Sequence, residues 1–116
     1  MKGFIVLALL ALPLLSAPAN AGEGLLARNW SKVDENHAEL ERAGRTYVLD
    51  SYIVLFEQPY YIHVRAKDGQ ALDATDAETL AAEYIQPRGC TQPLERRKDL
   101  DRSNGDGTER VLGFQC

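Results

Sequence analysis

The sequence is poor in cysteine, histidine and tryptophan, concentrates no positive charge and lacks a long apolar run, and each shortage removes a class of protein. Its two cysteines, Cys90 and Cys116, have no Cys-x-x-Cys spacing to lower a thiol pKa, which argues against a redox-active pair. Its two histidines, His37 and His63, lie on separate segments, so a zinc site would need both to converge with distant carboxylates, and no metal or cofactor is expected. The longest apolar stretch, Phe4 to Leu15, is twelve residues. A membrane-spanning helix takes roughly 20, and Pro13 and Pro18 would interrupt any extension. Beyond the first 21 residues the serines Ser31, Ser51 and Ser103 stand in cap-like or turn-like contexts, without the strand-to-helix elbow that exposes a nucleophile. A non-enzyme is therefore expected.

What the chain does have is an export signal. Lys2 supplies a positive start, Phe4 to Leu15 an apolar core, and Ala19-Asn20-Ala21 the small residues that a signal peptidase reads. Residues 1–21 read as a cleaved signal peptide and residues 22–116 as one small domain, periplasmic or secreted, with no stable membrane insertion after cleavage. No cysteine stands at the cleavage site to take a lipid. Cleavage takes Lys2 from the 13 basic side chains and leaves 12 against 17 acidic ones, a formal charge of −5 on 95 residues. That balance disfavours nucleic acid and anionic lipid as partners. The one basic cluster, Arg96-Arg97-Lys98, is flanked by Glu95 and Asp99 and reads as a solvated strand or turn.

In an oxidising compartment Cys90 and Cys116 pair most simply with each other, a structural disulfide worth about 3–4 kcal/mol by the chain-entropy model.

Along the domain, Ser31-Lys32-Val33-Asp34 resembles a capping box. Val33, His37 and Leu40 recur at helical spacing, and Gly44 is placed to end a helix over about 32–43, with Trp30 stapled against its first turn. Residues 46–56 and 60–65 are rich in β-branched and aromatic side chains and read as two strands joined through Glu57-Gln58-Pro59. A helix through 46–57 also fits the period of Val48, Tyr52 and Leu55. Asp68-Gly69 marks a tight turn. Asp73 or Thr75 caps a helix with the stripe Ala77, Leu80, Ala81, Tyr84 and Ile85, stopped by Pro87 and Gly89. A second hairpin turns through residues 103–107, with Val111, Leu112 and Phe114 on the returning strand. The expected fold is α+β, in the order α-β-β-α-β-β: an antiparallel sheet of about four strands with helices on one face. The segment Arg88-Gly89-Cys90-Thr91 after an alanine-rich helix, with the ending Gly113-Phe114-Gln115-Cys116, resembles small exported alphaproteobacterial proteins of unassigned function. That resemblance covers the C-terminal half and implies a fold neighbourhood without an activity.

Alternation places Tyr60, Ile62 and Val64 on the core face of their strand and Tyr61, His63 and Arg65 on the other. An aromatic ring, an imidazole and a guanidinium in a row suit a protein contact. The expected function is thus a small binding or accessory domain with an unidentified protein partner. Two alternatives are a small hydrolase or inhibitor using His63 with a nearby carboxylate, and a calcium-stabilised domain. For calcium, Asp99, Asp101, Asn104, Asp106, Thr108 and Glu109 crowd one region. An EF-hand frame aligned on Asp106-Gly107, however, puts Arg102 at position one and Gly113 at position twelve.

Overall fold

A computed structural model describes residues 24–116; the expected signal peptide and its cleavage site lie outside the described residues. The strands are β1 (Ser31–Lys32), β2 (Ala38–Arg42), β3 (Arg45–Ile53), β4 (Tyr60–Ala66), β5 (Glu95–Ser103) and β6 (Glu109–Gln115), and helix α1 (Ala74–Gly89) lies between β4 and β5. All six strands form one antiparallel sheet in the order β1-β3-β4-β6-β5, with β2 also on β3. β1 pairs with the end of β3 at Tyr52 and Ile53 and β2 with its beginning through Leu49, so the two short strands share one edge.

This corrects the expected α-β-β-α-β-β order, the four-strand count and the α+β class with helices on one face. The molecule is mostly sheet, six antiparallel strands with one α-helix among the described residues. The expected helix over 32–43 is instead β1, a single 3-10 turn at Asp34–Asn36 without a side-chain cap, and β2. In Ala38-Glu39-Leu40-Glu41-Arg42 the even positions are half-buried and the glutamates exposed, a period of two that the free edge of β3 turns into a strand. Gly44 ends no helix. With Ala43 it forms the two-residue turn between β2 and β3, at φ 54° and 82°, the positive pair that a tight hairpin requires.

The β3–β4 hairpin forms as expected, but β3 stops at Ile53, so that Val54, Leu55 and Phe56 belong to the connection. Asp68-Gly69 turns the chain after β4, with Gly69 at φ 77° and the Asp68 carboxylate accepting from Gln70 N at 2.9 Å. Asp73 caps α1 by accepting from Asp76 N at 3.0 Å. Ala77, Leu80, Ala81, Tyr84 and Ile85 are all buried, against Leu49, Ile62, Val64, Leu112 and Phe114 of the sheet. Burying each large aliphatic of this layer contributes about 1.5–3 kcal/mol. Burial pushes the Tyr84 phenol up from its ordinary pKa, and its Oη donates to Asn36 O at 2.5 Å, tethering the 3-10 turn to the helix. Pro87 does not stop the helix, which continues through it to Gly89, with Arg88 Nη1 donating to the Tyr84 carbonyl at 2.9 Å. Cys90 and Cys116 are disulfide-bonded, with Cα atoms 5.5 Å apart, joining the end of α1 to the end of β6.

The β5–β6 ladder breaks between the pairs Arg97–Gly113 and Arg102–Val111, leaving four residues of β5 opposite one of β6. The Arg96 and Asp101 side chains fill the gap. Asp101 accepts from Gly113 N at 3.0 Å, Arg96 Nη1 donates to Gly113 O at 3.0 Å, and the two form a bidentate pair at 2.8 and 2.6 Å. The looped-out chain folds back over Gly113 so closely that a Cβ there would meet Arg97 O at 2.5 Å and Leu100 Cβ at 2.7 Å. We expect Gly113→Ala to cost about 2 kcal/mol by overpacking, read as a lowered denaturation midpoint. Full retention of stability would show that the bulge is not held as described.

Candidate functional site

The face opposite α1 carries the trio expected to form a contact. Directly paired strand residues share a face, so Tyr61, His63 and Arg65 lie beside Tyr52, Asp50 and Val48 of β3 and Gly113, Val111 and Glu109 of β6. Only Arg65 is exposed. Tyr61 retains 9% of its accessible surface and His63 7%, which corrects the expectation of a solvated polar face.

Tyr61 is covered by the start of the domain. Leu25 is buried against it, and the Trp30 indole stacks on its ring with centroids 4.1 Å apart and planes inclined by 23°. Trp30 also leans on Tyr52 at 6.1 Å, so it staples the sheet rather than a helix. Arg102 fixes this cover from β5, with its guanidinium 4.6 Å above the indole and Nη1 donating to Leu25 O at 2.9 Å. The Tyr52 phenol is raised in pKa by burial first, and then by the Asp50 and Asp34 carboxylates.

His63 is held by a carboxylate from the neighbouring strand, its Nε2 lying 2.8 Å from Glu109 Oε1. An ionised carboxylate only accepts, so His63 donates. One position away, Asp50 is bracketed by His37 Nδ1 at 2.7 Å and Lys32 Nζ at 3.7 Å. Two histidine–carboxylate pairs therefore stand side by side on one sheet face. The register separates them from the serines. Ser31 pairs with Ile53, Ser51 with Ile62 and Ser103 with Arg110, all on the side of α1. The backbone of the sheet lies between each of these hydroxyls and the His63 imidazole, and the hydrolase alternative gains no serine nucleophile from this arrangement.

The oxygen-rich region around the β5–β6 turn is occupied by its own hydrogen bonds. Asp106 accepts from Thr108 N and Oγ1, Asn104 Oδ1 accepts from Glu109 N, and Asp99 and Asp101 are held by Arg97 and Arg96. Among the described residues no three His, Cys, Asp or Glu side chains converge in a metal-ligating group.

Sequence reasoning missed the end of the β3–β4 hairpin. Leu55 is 62% exposed and Phe56 wholly so, at 105%, the exposed large apolar side chains of the described chain. Phe56 sits at φ 70°, in the left-handed region that glycine and asparagine favour. The preceding Val54 packs on the cluster of Trp30, Tyr52, Tyr61 and Leu26, so the tip continues a half-buried aromatic edge. The available signal was the Glu57-Gln58-Pro59 punctuation, which places Leu55 and Phe56 at a turn rather than inside a strand.

No protein family, curated protein or solved structure matches this chain. Among the described residues no helix is long and apolar enough to cross a membrane.

Proposed function

We propose that the chain is exported, cleaved after Ala21, and acts in the periplasm or outside the cell as a small binding or accessory domain that engages a protein partner. The contact is the aromatic edge ending at Leu55 and Phe56. The observation that carries this reading is Phe56, a fully exposed phenylalanine at φ 70°. The left-handed conformation costs a non-glycine residue about 1–2 kcal/mol, and with its ring in water the side chain returns no packing energy to the fold. A partner that buries the ring accounts for both costs, and aromatic side chains dominate such contacts. The adjoining Glu57 and the net charge of −5 favour a protein over an anionic lipid surface.

Export is checked by intact mass, with the exported protein expected to start at Gly22. Recovery of Met1-containing protein in membranes would contradict it. The contact is checked with Phe56→Gly, which relieves the positive φ. Its melting temperature should stay within a few degrees of the parent or rise. Its capture of the partner from the producing cell's extract should be lost. A variant that is destabilised by more than about 1 kcal/mol, or that captures the partner as the parent does, would show that Phe56 serves the fold or nothing at all.

A further inference from the structure

A cavity of about 410 Å³ opens on the side of α1, between the first turns of the helix and the β5–β6 bulge. Its wall includes Thr75 and Glu78 of α1, Lys98, Asp101 and Ser103 of β5, and Arg110 of β6. The two carboxylates are already engaged, since Arg96 donates from Nε to Glu78 at 2.6 Å and forms its bidentate pair with Asp101. Arg110 is differently placed. Its Nε is buried and has no hydrogen-bond partner, and its Nη2 reaches only the Leu72 carbonyl at 3.4 Å. Among the described residues no carboxylate lies within ion-pair distance of Arg110 or Lys98.

Arg110 and Lys98 thus line the cavity as two cations that no carboxylate among the described residues pairs with, while Arg96 engages both carboxylates of the wall. The donors of the wall are the Arg110 guanidinium, the Lys98 ammonium, and the Thr75 and Ser103 hydroxyls. A guanidinium and an ammonium lining one cavity fit an oxyanion, and the cavity has the size of a small-molecule site. We infer that this cavity binds a small molecule through an anionic oxygen group, phosphate or carboxylate, held by Arg110 and Lys98. The site lies across the sheet from the Trp30–Tyr61 stack and is independent of the proposed protein contact.

The test reads the Arg110 Nε–H resonance of isotope-labelled protein during titration with inorganic phosphate and, separately, citrate, each against sodium chloride at equal ionic strength. Binding predicts a saturable shift of that resonance with one or both anions, and the anion that saturates it identifies the group as phosphate or carboxylate. Lys98 is exposed, so Lys98→Ala should fold normally and weaken the response about tenfold or more, the loss of one charge-assisted hydrogen bond. Lys67→Ala, which removes an equal charge at the exposed ion pair with Glu39, should leave it unchanged. A shift no larger than in chloride, a response that never saturates, or equal weakening by the two substitutions would overturn the inference and leave the cavity to water.

Discussion

Tyr61→Ala should destabilise the domain by about 3 kcal/mol, as much as a core truncation such as Ile62→Ala on the opposite face of the same strand. Tyr61 is buried under Leu25 and stacked on Trp30, so truncation removes the platform on which the start of the domain lies. In a domain of this size the loss lowers the melting temperature by roughly 15 °C, and the fluorescence of the single tryptophan should move toward that of a solvated indole. Arg65→Ala, on the same face but exposed, should change stability by less than about 0.5 kcal/mol. Equal, small effects of Tyr61→Ala and Arg65→Ala would mean that residues 25–30 do not cover the sheet.

Removing the disulfide should have a comparable effect. The Cys90–Cys116 bridge closes a loop with a sequence separation of 26, which the chain-entropy model values at about 3–4 kcal/mol. Domains of this size are stable by about 5–10 kcal/mol in total. The bridge also acts on a central element, because β6 lies between β4 and β5, and its end is tied to the end of α1. The Tyr60 hydroxyl reinforces that junction by donating to Gly89 O at 3.0 Å. The double variant Cys90→Ser, Cys116→Ser should melt about 15–20 °C lower, and reductant should do the same to the parent while leaving the variant unaffected. Two reactive thiols in native protein, or a melting temperature indifferent to reductant, would contradict the assignment.

What was legible in the sequence was local. The stripe of α1, the Asp73 cap and the Asp68-Gly69 turn are written within single segments, and each is found where the pattern placed it. The segment 31–42 was ambiguous because Val33, His37 and Leu40 satisfy a helical period while Ala38, Leu40 and Arg42 satisfy an extended one. The deciding factor was the unpaired edge of β3, which no window on 31–42 contains. The solvation expected of Tyr61 and His63 fails for a related reason. Alternation correctly assigned Tyr61 and His63 to the face away from Ile62, but what covers a face is a tertiary fact. The cover comes from Leu25 and Trp30 far upstream, from Leu100 folded over Gly113 far downstream, and from Glu109 reaching His63 from the neighbouring strand β6. Phe56 escaped notice because an apolar residue beside a strand pattern reads as strand until the register shows where pairing ends.

The proposed contact surface is the hairpin tip and not the polar trio. The direct test is a photoreactive phenylalanine analogue placed at position 56, and in a second protein at position 65, in the cells that produce the chain. A contact at the tip should give one discrete crosslinked species at position 56, containing a second protein, and none at position 65. A crosslink at position 65 with nothing at position 56 would return the contact to the face of Tyr61, His63 and Arg65 and contradict the claim.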